Sequence, residues 1–308
     1  MNKIMILATV CALGLGALSA CQPAQPAAAA TEEEPPTATP TALPVWQVVA
    51  ESTISHKATV VGFNDASFGI TAGYAGELHY SRDGGASWPR AVNNSYCRFG
   101  LEIVDDQVAW HCGNAGHVRR TLDGGKTWRP VTGFGPGEPA HCRFLSFVSD
   151  TTGWAATRVL LGTTTDGAQT WNERALPEGI GNIAAIAVYA PGQGYLLDAS
   201  GALFASTDDG VTWAALPAVD LGGLSIREST SPTVALRFFD AQNGLLVVSA
   251  IKDSAGVMAA FRTADGGQTW TSEVLPVPFG TPFLSRDGRT LTIYLAPSKI
   301  TVIHYNGD

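Results

Sequence analysis

Thr121-Leu122-Asp123-Gly124-Gly125-Lys126-Thr127-Trp128 is the stretch that decides the fold, because its frame returns along the chain. Close copies are Ser81-Arg82-Asp83-Gly84-Gly85-Ala86-Ser87-Trp88 and Thr263-Ala264-Asp265-Gly266-Gly267-Gln268-Thr269-Trp270. Looser ones are Thr164-Thr165-Asp166-Gly167-Ala168-Gln169-Thr170-Trp171 and Ser206-Thr207-Asp208-Asp209-Gly210-Val211-Thr212-Trp213. A short carboxylate accepts hydrogen bonds from N–H groups just downstream and pins a tight turn. The Gly that follows supplies φ > 0, which other residues resist. The closing Trp contributes a large ring to bury. Asp83, Asp123, Asp166, Asp208 and Asp265, with Trp88, Trp128, Trp171, Trp213 and Trp270, are therefore read as structural. Calcium is not expected, since no copy carries the D-x-[DN]-x-[DN]-G run with its distal Glu.

The Asp residues lie 40, 43, 42 and 57 residues apart. Each interval holds three short apolar segments, the turn, and a segment opened by the Trp. A period near 40 with four strands is that of a β-propeller blade, so the fold is all-β. The long last interval fits a loop at Pro217–Pro232 and a widened hairpin near Lys252–Gly256. After Trp270 only three strands remain, at Pro282–Ser285, Thr290–Leu295 and Ile300–Tyr305. The strand opening at Trp46 supplies the fourth. Six blades follow, the last closed by the N-terminal strand so that no edge stays free. Seven blades is the alternative if the 57-residue interval hides another.

The turn motif resembles the Asp-box, or bacterial neuraminidase repeat, of sialidases, sortilin-type receptors, some glucan hydrolases and the photosystem II assembly-factor propellers. The wider frame is an aromatic-Asp pair, a Gly-rich strand, then Ser/Thr-x-Asp-Gly-Gly-x-Thr-Trp. It is most similar to the assembly-factor group, over about residues 45–308. That resemblance implies a propeller and, by analogy with an arginine-rich client-binding patch in that group, a non-catalytic binding scaffold. The group is usually seven-bladed, so six blades is a departure. Families sharing the motif do unrelated things, so it speaks to fold more than to activity.

The ends of the chain say where it works. Lys3, an apolar run from Ile4 to Ala17, and Leu18-Ser19-Ala20-Cys21 read as a secretory signal over residues 1–20. The last four resemble a bacterial lipobox, which implies lipidation of Cys21 and an exported, lipid-anchored protein on the extracytoplasmic face of a bacterial membrane. Residues 21–44, rich in Ala, Pro and Thr, read as a disordered tether, and 45–308 as the propeller. Loss of residues 1–20 removes Lys3 and no acid, leaving 18 basic against 27 acidic residues, a net of −9. That balance disfavours nucleic acid. The only membrane contact expected is the lipid, and the protein is expected to be a monomer.

No catalytic residues are expected. Sialidases need three arginines, a Tyr/Glu pair and an Arg-Ile-Pro motif, and the last is missing. H-E-x-x-H, G-x-S-x-G and phosphate-loop patterns are missing too. Non-box acids such as Glu102, Asp105, Glu138 and Asp240 exist, but sequence does not pair them as a retaining glycosidase requires. A carbohydrate-active hydrolase or glycan-binding propeller is the alternative reading.

A Cys/His/Arg cluster in blades two and three stands out. In an up-and-down blade the start of the inner strand lies beside the end of the second strand. That places Arg98, His111, His141, Arg143 and Arg158 on one rim near the channel, as the candidate site for a protein partner or acidic ligand. No cofactor is expected. The same topology predicts a Cys97–Cys112 disulfide, with Cys112–Cys142 as the competing pair.

Overall fold

The structure is a computed structural model that describes residues 46–54, 58–65, 67–73, 77–92, 99–135, 141–227, 229, 232–277 and 279–306. The expected signal segment, tether and Cys21 lie outside these residues, as do Cys97 and Arg98.

Strand β1 (Trp46–Thr53) leads into blade one, made of β2 (Ala58–Phe63), β3 (Gly69–Gly73), β4 (Leu78–Ser81) and β5 (Arg90–Val92). Blade two holds β6 (Leu101–Ile103), β7 (Ala109–Cys112), β8 (Val118–Thr121) and β9 (Arg129–Pro130). Blade three holds β10 (Phe144–Phe147), β11 (Gly153–Ala156), β12 (Leu161–Thr164) and β13 (Asn172–Arg174). Blade four holds β14 (Ile183–Ala190), β15 (Gln193–Asp198), β16 (Leu203–Ser206) and β17 (Ala214–Ala215). Blade five holds β18 (Val234–Phe238), β19 (Gly244–Lys252), β20 (Ala255–Thr263) and β21 (Thr271–Val274). Blade six pairs β22 (Thr281–Leu284), β23 (Thr290–Leu295) and β24 (Lys299–Tyr305) with β1, in the order β1-β24-β23-β22.

The ring closes as expected. Inner strands β2, β6, β10, β14, β18 and β22 touch in succession, and β22 touches β2. β1 runs antiparallel to β24 from Trp46↔Tyr305 to Thr53↔Lys299. The 57-residue interval hides no seventh blade. It is filled by the segment between β17 and β18 and by the nine-residue strands β19 and β20. Their hairpin turns at Asp253 and Ser254, both at positive φ (50° and 67°). Two left-handed residues give the twist that a tight hairpin needs.

Each Asp-box is a closed hydrogen-bond loop. In blade two, Thr121 Oγ1 donates to Asp123 Oδ1 (2.8 Å) and accepts from Gly125 N–H (2.9 Å). Thr127 N–H and Oγ1 donate to the two carboxylate oxygens (2.9 and 2.5 Å). Gly124 and Gly125 stand at φ 68° and 81°. All five Trp rings pack edge-on against an inner-strand or second-strand ring, in Phe63–Trp88, His111–Trp128, Phe147–Trp171, Trp154–Trp213 and Phe238–Trp270. Their indole N–H groups are bonded in two ways, and that of Trp88 is buried without an acceptor among the described residues. Trp128 and Trp270 donate back to Gly125 O and Gly267 O, within the box. Trp171 and Trp213, in the looser copies, donate across to Thr132 O and Ala175 O of the preceding blade.

Two copies depart from Asp-Gly-Gly at a backbone cost. Ala168 and Asp209 occupy glycine slots at φ 60° and 63°. Asp209 turns this to use, since its carboxylate accepts from Trp154 Nε1 (3.0 Å), Thr163 Oγ1 (2.6 Å) and Arg174 Nη2 (2.6 Å) of blade three. Between blades, stacked rings fill the core, Trp110 on Phe147 at 4.0 Å and Tyr195 on Phe238 at 3.5 Å. Apolar burial of this kind, repeated at each blade junction, is what holds the ring together.

Candidate binding site at the channel mouth

Every blade begins on its inner strand, so the first residues of those strands gather on one face around the channel. Phe99, Arg143, Phe144, Ile183, Ala184 and Thr233 meet there, with Arg158, Ile226, Arg227, Ser229 and Pro232 completing the lining. Arg143 and Arg158 converge on one acceptor: Arg143 Nη1 donates to Ser229 O at 3.1 Å and Arg158 Nη2 at 3.5 Å. The Arg143 guanidinium lies 4.6 Å from the centre of the Phe99 ring. His141 packs its ring against Phe99 at 5.3 Å and accepts from Ala115 N–H at Nδ1 (3.4 Å). Holding the Arg143 guanidinium over an aromatic face at the cavity lining preorganises it for a planar acceptor.

Of the five expected rim residues, Arg98 lies outside the described residues. His111 does not reach the mouth: it is fully buried, its Nδ1 donates to Gly100 O at 2.6 Å, and its ring faces Trp128. Its place at a strand end is legible in the sequence, but the alternation of the strand turns the ring into blade two.

Below the mouth lies a floor that sequence reasoning missed. Arg237 on β18 and Glu102 on β6 form a two-point ion pair, Nη1–Oε1 2.7 Å and Nη2–Oε2 2.8 Å. Their side chains are 9% and 3% exposed. Blades two and five stand opposite each other, so the pair spans the channel. Arg286 makes a second diametric tie, from the β22–β23 turn to Phe147 O (2.7 Å) and Val148 O (3.3 Å) in blade three. Burial lowers the Arg286 pKa from its ordinary value; Glu102 opposes that shift and Arg237 adds to it. The space above the Glu102–Arg237 pair, about 80 Å³, is lined from all six blades. A charged residue between apolar neighbours on each inner strand (Leu101-Glu102-Ile103 and Leu236-Arg237-Phe238) was the available signal. Nothing local links residues so far apart in the chain.

Of the other acids singled out in the sequence, Glu138 lies outside the described residues and two are engaged in turns. Asp105 accepts from Gln107 and Val108 N–H, and Asp240 from Gln242 and Asn243 N–H. Hydrogen bonds from the Asn243 side chain and from the backbone hold the Asp240 carboxyl below its ordinary value. Box carboxylates Asp83, Asp166, Asp208 and Asp265 are lowered to about 2, chiefly by the Ser or Thr hydroxyl at the far end of each box.

Residues 93–233, a little under half of the chain, match the family model of the photosynthesis system II assembly factor YCF48. The chain resembles the YCF48 propellers. A solved structure described as YCF48 bound to D1 peptide superposes with a TM-score of 0.54 at 17% identity, covering 88% of this chain and 100% of that one. A putative gluconolactonase superposes at 0.57 with 12% identity, covering 86% and 93%. A GH74 xyloglucanase from Xanthomonas campestris superposes at 0.52 with 15% identity, covering 78% of this chain and 44% of the enzyme. At these identities the likeness is one of fold. Among curated proteins no sequence matches.

Proposed function

We propose that the protein is a non-catalytic binding scaffold whose channel mouth receives an acidic or carboxylate-bearing segment of a protein partner. The observation that carries this reading is the convergence of Arg143 and Arg158 on one oxygen, over the Phe99 ring, at the mouth of a cavity floored by an ion pair. The oxygen they share is a backbone carbonyl, a neutral acceptor. A carboxylate in its place would form charge-assisted bonds roughly twice as strong, in the planar two-point geometry that guanidinium favours. The description of a YCF48 structure as bound to a peptide supports a protein partner. The lining supports it as well: Glu102, the acid that faces the cavity, has both oxygens bonded to Arg237, which leaves no carboxylate pair for glycoside hydrolysis among the described lining residues. The partner is met at a membrane surface, with the propeller held there through lipid on Cys21 and the tether of residues 21–44.

Capture from native membranes by the full-length protein tests this. Replacing Arg143 and Arg158 together by Ala is expected to weaken capture at least about tenfold, since each charged hydrogen bond contributes about 1.5–3 kcal/mol. Lys126→Ala with Arg129→Ala removes the same charge from exposed positions near an Asp-box and is expected to leave capture intact. Equal loss in both pairs, or none in the first, overturns the reading. Mass spectrometry of the N-terminal peptide tests the anchor, and an unmodified Cys21 refutes it.

A further inference from the structure

Cys112 and Cys142 are fully buried and carry free thiols. Cys112 ends β7 in blade two, and Cys142 stands two residues before β10 in blade three. A backbone bond brings these two segments together, Cys142 N–H donating to Gly113 O at 3.0 Å, while Cys112 N–H donates within blade two to Gly100 O at 2.9 Å. Cys112 Sγ sits beside Gly100, where a Cβ on that glycine would stand 2.7 Å from the sulfur and 3.2 Å from the Arg143 carbonyl oxygen. Both side chains belong to one apolar cluster with Trp110, Val118, Phe134 and Leu145. The Cys142 thiol donates to Phe144 O at 3.8 Å, and burial first, then the neighbouring Cys142 thiol, raises the Cys112 pKa well above its ordinary value.

We infer that Cys112 and Cys142 form a native disulfide that staples blade two to blade three directly behind the channel mouth. The pairing differs from the Cys97–Cys112 bridge expected from strand ends, because the segment before β10 runs back against Gly113. The bond forms by thiol–disulfide exchange with an oxidising protein disulfide of the exported compartment. The Cys112 thiolate attacks one sulfur of that disulfide and expels a thiolate, giving a mixed disulfide. The Cys142 thiolate then attacks the Cys112 sulfur and expels the second thiolate. The protein loses two electrons and two protons, and the oxidant's disulfide becomes two thiols. Exchange needs a thiolate, and a buried thiol with a raised pKa offers almost none. The crosslink is therefore made before this cluster packs and is afterwards shielded from reductants. Its consequence for the mouth is positional. Cys142 immediately precedes Arg143, and Gly100 immediately follows Phe99, so the bridge holds the guanidinium and the ring beneath it in one geometry.

The test maps the full-length protein, purified without reductant from cells that export it, with free thiols alkylated before digestion. Trypsin separates the three cysteines into Ala91–Arg98, Phe99–Arg119 and Thr127–Arg143, because Arg129-Pro130 resists cleavage. The expected result is a Phe99–Arg119/Thr127–Arg143 crosslink, with Cys97 alkylated. The Cys97→Ser variant is expected to keep that crosslink, and reductant, which reaches the sulfurs only as the chain unfolds, to lower the melting temperature of the unmodified protein by roughly 5–15 °C. A crosslink that includes Ala91–Arg98, or alkylation of all three cysteines, overturns the inference.

Discussion

Asp209 offers a sharp test of how this ring is held, because backbone preference and side-chain bonding pull its substitution in opposite directions. Asp209→Gly restores the Asp-Gly order of the other four boxes and removes a left-handed residue at φ 63°. By backbone reasoning alone this stabilises by about 1 kcal/mol. The same change deletes a carboxylate that accepts three hydrogen bonds from blade three. Trp154, 1% exposed, loses the acceptor for its indole N–H, at a cost of about 1–3 kcal/mol. The Arg174 ion pair, with both side chains 23% exposed, contributes about 1 kcal/mol more, and the Thr163 hydroxyl about 0.5–1. Bonding wins by about 2 kcal/mol, so the melting temperature is expected to fall by roughly 4–8 °C. Ala168→Gly is the control. It relieves the same kind of strain at φ 60°, about 1 kcal/mol, and loses one buried methyl, about 0.8 kcal/mol. Its melting temperature is expected to stay within about 2 °C of the parent. Scanning calorimetry on the three proteins decides; an Asp209→Gly protein that melts at or above the parent refutes the argument that the inter-blade bonds outweigh the strain.

Glu102→Ala leaves Arg237 buried without its counter-charge and is expected to cost about 3–5 kcal/mol in urea unfolding, whereas Glu102→Leu with Arg237→Met is expected to be neutral or stabilising. Equal losses in both would show that the floor depends on charge and not on packing. Deleting residues 46–53 bares the edge of β24 and removes the Trp46–Tyr305 contact, so light scattering is expected to show concentration-dependent association; a monomer of unchanged melting temperature would contradict ring closure. Four box carboxylates, Asp83, Asp166, Asp208 and Asp265, have folded pKa values of about 2, below the unfolded value near 3.9. Their stabilisation is fully present above about pH 4 and is lost as pH falls toward 2. A melting temperature flat from pH 5 to 7 and falling below 4 is expected, and a decline that begins near pH 6 would point to the histidines instead.

The blades are legible in the sequence because the Asp–Trp frame fixes a turn locally, and its repeat carries that turn around the ring. The three-strand remainder after Trp270 is enough to assign β1 to blade six. Strand ends alone place Arg143 and Arg158 together, and the structure has both at the mouth. They misplace His111, because a position at a strand end does not say which way the side chain alternates. The Glu102–Arg237 floor is invisible for a different reason: it joins opposite blades, and a single sequence records no pairing between residues 135 apart. The three bonds of Asp209 hide in what looks like a defect of the motif.

Ring closure also bears on the order in which the protein is made. Blades one to five are each contiguous in the chain, so each has all its strands as soon as its own segment is complete. Blade six joins the first described strand to the last, and β1 stays without its partner until β24 has been synthesised. The Arg286 tie is equally late. The open ring that precedes them exposes the apolar faces of blades one and five that blade six covers and leaves β1 unpaired, and such surfaces are where chains of this kind associate wrongly. The final seven-residue strand, Lys299–Tyr305, thus acts on every other blade although it contacts few of them. Loss of a few residues at that end falls on the whole circle.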